Sequence, residues 1–155
     1  MQAACASALL ISCSTVSPPA PVIVVPVEVL NPDVRPDTID QTICVSRYTA
    51  SVRPATSYTN GVKAKLLRES GTDAANARKY ELDHVIPIAV GGHPRNIENL
   101  MLQLWDGEDG AKKKDRLERR LQQLVCSKLL GLRDAQAAIW TDWQAAYRRW
   151  VGDHP

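Results

Sequence analysis

A chain of 155 residues with 45% hydrophobic content is one domain's worth of sequence with terminal segments to spare. There is no Phe, so Leu, Val, Trp and Tyr must fill the core. A formal net charge of +2 excludes a partner chosen by net charge alone, but the sign alternates along the chain. Residues 13–42 hold one basic and four acidic residues, 43–80 seven and two, 81–109 one and six, and 110–155 ten and five. An acidic segment flanked by two basic ones suits a polyanion-binding enzyme that also holds a cation, and equally suits ordinary variation among solvated faces.

Residues 1–12 carry no charged side chain and include the apolar run Ala6–Ile11, far too short to span a bilayer as a helix. The run suits the h-region of an export signal, although no Lys or Arg precedes it. Leu10-Ile11-Ser12-Cys13 resembles a bacterial lipobox, which implies cleavage before Cys13, lipidation of its thiol and a membrane anchor. The expectation is an exported protein, periplasmic or extracellular, with 1–13 as signal. Pro18, Pro19, Pro21, Pro26, Pro32 and Pro36 then predict an extended linker over 14–40, with the domain proper over 41–152.

Of four cysteines, Cys5 and Cys13 fall in the leader, which leaves Cys44 and Cys126 as an even pair. In an exported protein the favoured reading is a disulfide. It would close a loop of about 80 residues and contribute roughly 3–5 kcal/mol. A metal site is less favoured because neither has a CxxC partner, and two buried thiols are the remaining alternative.

Residues 57–69 read as a helix, with Val62 and Leu66 four apart and Ser70-Gly71 as the stop. Residues 72–79 read as polar loop, Tyr80–Ile88 as a strand, Gly91-Gly92-His93-Pro94 as a turn and Asn99–Leu104 as a second strand. Asp106–Gly110 is a turn before the strongest helical pattern, Ala111–Leu130, with Leu117, Leu121, Leu124 and Val125 on one face and Gly131 ending it. Asp134–Trp150 reads as a last helix with Ile139, Trp143, Ala146 and Trp150 as its apolar stripe. The class is α+β, with a hairpin followed by a helix at its centre.

Tyr80-Glu81-Leu82-Asp83-His84-Val85-Ile86-Pro87, then Gly91-Gly92, then Asn99-Leu100, then a Lys-rich helix, resembles the HNH (ββα-metal) nucleases. The narrower resemblance is to small secreted bacterial proteins of HNH endonuclease-like type. They share the Cys-to-Cys span, Arg53-Pro54, Ser57–Asn60, the Lys-Asp-x-Leu-Glu of Lys114–Glu118 and the Asp-Trp-x-x-x-Tyr of Asp142–Tyr147. The likeness covers roughly residues 42–150. It implies a ββα-metal core with flanking helices and a metal-assisted endonuclease acting on nucleic acid, DNA ahead of RNA. It implies His84 as general base, Asp83 as ligand to a divalent cation (Mg²⁺, with Mn²⁺ or Zn²⁺ as alternatives) and Asn99 as the side chain that braces the loop and orients the histidine. A neutral imidazole near pH 7 can take a proton from water, and a carboxylate suits a hard cation.

The third position departs from the pattern. HNH enzymes commonly place a His or Asn on the first turn of the helix, and here that turn reads Gly110-Ala111-Lys112-Lys113-Lys114-Asp115. Either Glu108, Asp109 or Asp115 substitutes, or the ammonium of Lys114 takes part of the metal's role, or activity has been lost. Three lysines at a helix N-terminus also oppose its dipole, and a phosphate there would compensate. Arg53, Lys63, Lys112 and Lys113 are accordingly candidate substrate-binding residues, with Arg47 and Lys65 as further backbone contacts. His93 reads as a loop residue, and the four Trp read as packing groups rather than base-stacking platforms. The alternatives to a nuclease are a catalytically inactive HNH-fold module that binds nucleic acid or protein, and a structural envelope lipoprotein.

Overall fold

The computed structural model describes residues 23–152. The expected signal, Cys13 and the first part of the expected linker lie outside them. The fold is α+β: a two-stranded antiparallel sheet with helices packed around it. In chain order the helices are α1 (Tyr48–Val52), α2 (Thr56–Glu69), α3 (Ala111–Cys126) and α4 (Leu132–Trp150), and strands β1 (Tyr80–His84) and β2 (Leu100–Leu104) lie between α2 and α3. No helix among the described residues is long and apolar enough to cross a membrane.

The strands pair from Tyr80↔Leu104 to His84↔Leu100. β1 ends four residues before the expected Ile88, and Asn99 is the reason. Val85 N–H still bonds the Asn99 carbonyl, but Asn99 Oδ1 then accepts from Ile86 N–H (2.8 Å) and its Nδ2 donates to Ile86 O (2.9 Å). A side chain thus replaces the next ladder step, and Pro87, with no N–H, ends it. The chain turns through Ile88–Val90 to Gly91 (φ 84°) and Gly92, where a Cβ would fall on the Ile86 carbonyl oxygen.

α3 buries Leu117, Leu121, Leu124 and Val125, as its spacing predicts, but stops at Cys126 rather than Leu130. Lys128 takes φ 62°, Leu129 N–H bonds Leu124 O, and Lys128 N–H bonds Val125 O. That is a Schellman closure with lysine where glycine is usual. Gly131 therefore does not end α3; it opens α4, which starts at Leu132 instead of Asp134. α4 is broken at Asp142 (φ −163°, ψ 94°), whose Oδ1 accepts from Ala145 N–H and so caps the second half.

Ile43, Ile86, Leu117, Leu121, Ile139 and Tyr147 form the heart of the core, with Trp140, Trp143 and Trp150 packed against it as expected. Val29, Leu30 and Val34 belong to the same core, and Leu30 bridges Gly92. The extended linker expected to Asp40 therefore does not hold for these residues. Prolines there begin turns instead of excluding structure: Pro26 precedes the turn Val27–Val29, and Asn31 Oδ1 receives Asp33 N–H just past Pro32.

Cys44 and Cys126 are disulfide-bonded, with Cα atoms 5.4 Å apart. The bond is consistent with an oxidising, exported location. It ties the segment before α1 to the last turn of α3, beside a hydrogen bond from Gln122 Nε2 to Ile43 O.

Candidate active site

The alternation of β1 places Glu81 and Asp83 on one face and Leu82 and His84 on the other. Because the strand ends at His84, these residues are not kept apart by the sheet. Arg53, Glu81, Leu82 and His84 line two adjoining cavities. One, about 330 Å³, is completed by Asp83, Asp115, Glu118 and Arg119. The other, about 320 Å³, is completed by Thr56, Thr59, Asn60, Lys63 and Trp105. Four of these last residues recur at i, i+3, i+4 and i+7, so they form one polar face of α2.

His84 is 8% exposed. Its Nε2 lies 3.2 Å from the Pro94 carbonyl oxygen, which can only accept. Nε2 therefore carries the proton, and Nδ1 keeps its lone pair with no hydrogen-bond partner among the described residues. Burial holds the imidazole pKa below its ordinary value. The Pro94 bond and Asp83 oppose this, while Arg53 and Lys114 reinforce it. The ring is thus neutral at pH 7. Asn99, fully buried, also donates from Nδ2 to His93 O (3.0 Å). It braces the loop from which Pro94 reaches His84 and touches neither cavity, so it is a positioning residue. His93 Nδ1 accepts from Arg95 and Asn96 N–H, the work of a loop residue.

Lys114 is 1% exposed. Its Nζ donates to Asp83 Oδ2 (2.7 Å), the His84 carbonyl oxygen (2.7 Å) and Glu118 Oε1 (2.9 Å). An ammonium has three N–H groups, and all three are used. Desolvation disfavours its charge, but Glu118 and Asp83 outweigh it and hold the pKa above the ordinary lysine value. Lys114 was expected to be catalytic, its ammonium taking part of the metal's role; the geometry has that ammonium fasten α3 to the end of β1, and Lys114 lines neither cavity at His84.

The same geometry bears on the expected cation. Asp83 Oδ2 and Glu118 Oε1, two of the carboxylate oxygens a cation would need, already carry the ammonium. Among the described residues no group of three or more His, Cys, Asp or Glu side chains stands where it could hold a metal ion. The donor set does not fit a divalent cation at Asp83.

Lys112 bonds Asp106 (2.6 Å), and Lys113 bonds Glu108 (2.7 Å) and lies 4.9 Å from the Tyr147 ring. Neither lines the cavities at His84. Acidic side chains of this chain offset these two lysines at the start of α3. Lys63 does line the second cavity, and its Nζ donates to Tyr80 O (2.6 Å). Lys65 pairs with Glu69, and Arg47, with φ 67°, stands apart at the disulfide. Trp105 corrects the reading of all four tryptophans as packing groups: it is 38% exposed and walls the second cavity. Its place one residue beyond β2 is the signal in the sequence that separates it from the Trp residues of the helical stripe.

Glu81, assigned no role from the sequence, faces both cavities. Burial and then the carboxylates of Asp83, Asp115 and Glu118, against Lys114, push its pKa up to about 7. An acid raised on folding contributes stability that is fully present below its unfolded value, near 4.5, and is lost as pH rises through 7. Glu81→Gln is therefore expected to flatten the fall in stability between those pH values and to leave the variant the more stable protein at pH 8. Urea unfolding at pH 5 and pH 8 checks this; an equal fall in both proteins would disprove it.

No protein-family model matches the chain, and neither a curated protein nor a solved structure matches it.

Proposed function

We propose that the chain is a nuclease of the HNH type that cleaves phosphodiester bonds of nucleic acid outside the cytoplasm, with His84 as general base. The observation that carries the reading is the imidazole itself: neutral, fixed in one tautomer by Pro94 so that Nδ1 keeps its lone pair, on a residue that lines two adjoining polar cavities. A base must be unprotonated, oriented and reachable, and His84 meets the three conditions. Arg53, at the same junction, supplies a permanent positive charge for phosphoryl oxygens. Thr56, Thr59, Asn60 and Lys63 offer hydroxyl, amide and ammonium groups to a sugar-phosphate backbone, and Trp105 offers a face for a base.

Stacking on Trp105 is expected to contribute roughly 1–3 kcal/mol per base, so Trp105→Ala should weaken binding of a single-stranded oligonucleotide by about tenfold or more. Fluorescence anisotropy measures this, and an unchanged Kd would remove Trp105 from the site. The reading as a whole is tested by incubating purified protein with plasmid DNA and with RNA, beside His84→Ala. Cleavage by the wild type and its loss in the variant is the expected result. The saturated Lys114–Asp83 pair favours the second reading, an inactive nucleic-acid-binding module, and binding without cleavage would select it.

A further inference from the structure

Three oxygens converge on one buried point between β1 and α3: Asp83 Oδ2, Glu118 Oε1 and the His84 carbonyl, each within 2.7–2.9 Å of Lys114 Nζ. Two carboxylates and a carbonyl are what a hard cation takes as ligands. Here a covalently attached ammonium takes them, with all its N–H groups spent. It supplies the positive charge of a cation, but it has no open position at which to bind and acidify water. If the site cleaves phosphodiesters, as proposed above, its nucleophile must be one that an imidazole can activate unaided.

We propose that the substrate is RNA, cleaved without a metal ion through its own 2′-hydroxyl. Attack within one nucleotide carries an effective molarity of about 10⁵–10⁸ M, which removes the need for a metal-bound hydroxide. His84 Nδ1 takes the proton of the 2′-hydroxyl, and the 2′-oxygen forms a bond to phosphorus. The bond from phosphorus to the 5′-oxygen breaks, and that oxygen takes a proton from water. The hydroxide left behind is neutralised by the proton from the imidazolium. The products are a 2′,3′-cyclic phosphate and a 5′-hydroxyl. Arg53, between the two cavities, faces the phosphoryl oxygens, and Thr56, Thr59 and Asn60 line the side on which the ribose would lie.

The test uses the full, disulfide-bonded chain and three oligonucleotides of one sequence: RNA, DNA, and RNA with a single 2′-deoxy nucleotide. Each is incubated in EDTA and in Mg²⁺ or Mn²⁺, and the product ends are read by mass spectrometry. His84→Ala prepared in parallel controls for a co-purifying ribonuclease. The expected result is RNA cleavage at the same rate in EDTA and in metal, with 2′,3′-cyclic ends, no DNA cleavage, and loss of cutting at the deoxy position to background. Cleavage that requires metal, or that leaves 5′-phosphate ends, would overturn this inference and leave the nuclease reading standing. Absence of cleavage of every substrate would overturn both.

Discussion

Replacing His84 with alanine is expected to slow phosphodiester cleavage by roughly 10²–10⁴-fold, the usual contribution of one general base. The loss should fall on kcat and leave KM little changed, because Arg53, Lys63 and Trp105, which line the second cavity, stay in place. The fold should survive. The substitution removes one 3.2 Å hydrogen bond to the Pro94 carbonyl, worth about 1 kcal/mol, while Asn99 continues to brace the same loop. Two further readouts separate lost base catalysis from lost structure. Added imidazole should partly restore the rate, since the vacated space opens onto both cavities. In the wild type the acid limb of the pH–rate profile should lie below the ordinary imidazole value, because burial holds the pKa down. A His84→Ala protein that folds and keeps its rate would end the assignment.

Lys114→Met is expected to lower stability by about 3 kcal/mol, at the low end of the range for breaking a buried ion pair. Methionine fills much of the space but leaves Asp83 and Glu118 facing each other with no cation between them. The low end applies because both carboxylates reach the cavity, with side chains 15% and 18% exposed. In the variant the pKa of Glu118, already raised by burial, should rise further once the ammonium that lowers it is gone, so the deficit grows with pH and shrinks in acid. Urea unfolding at pH 5 and pH 8 reads both effects. Adding Asp83→Asn should recover part of the loss at pH 8, since one of the two unpaired charges is then gone. A deficit under about 1 kcal/mol at pH 8 would mean the pair contributes no more than an exposed one does.

Much of this site was legible in the string from Tyr80 to Leu104. The alternation of β1, the turn at Gly91-Gly92 and the helix after Asp109 placed Asp83, His84 and Asn99 together, and Arg53 and Lys63 proved to face the same space. The different fates of Lys112, Lys113 and Lys114 were not legible. Three consecutive helical residues point about 100° apart, so one of them must turn inward, but apolar periodicity does not register a lysine whose charge is shared between Glu118, one turn on, and Asp83, 31 residues back. The end of β1 was hidden for a related reason: Ile86 continues the β-branched run, and only the side chain of Asn99 shows that the ladder has been closed. Lys128 in a left-handed cap and Val29 to Val34 in the core are tertiary outcomes that local propensity opposes.

The path of the Cys44–Cys126 bond has a consequence for when the cavity is held together. Its first wall, Thr49 and Arg53, follows Cys44 by five and nine residues; its opposite wall, Asp115, Glu118 and Arg119, lies seven to eleven residues before Cys126 on α3. The covalent link therefore joins the two walls of the cavity from outside it, like the rivet of a pair of tongs. In a reducing cytosol the jaws are held by noncovalent contacts such as Gln122 to Ile43 and Lys128 to Asp40. The rivet is set only where thiols oxidise. Arg53 and α3 thus gain their shared anchor only in an oxidising compartment.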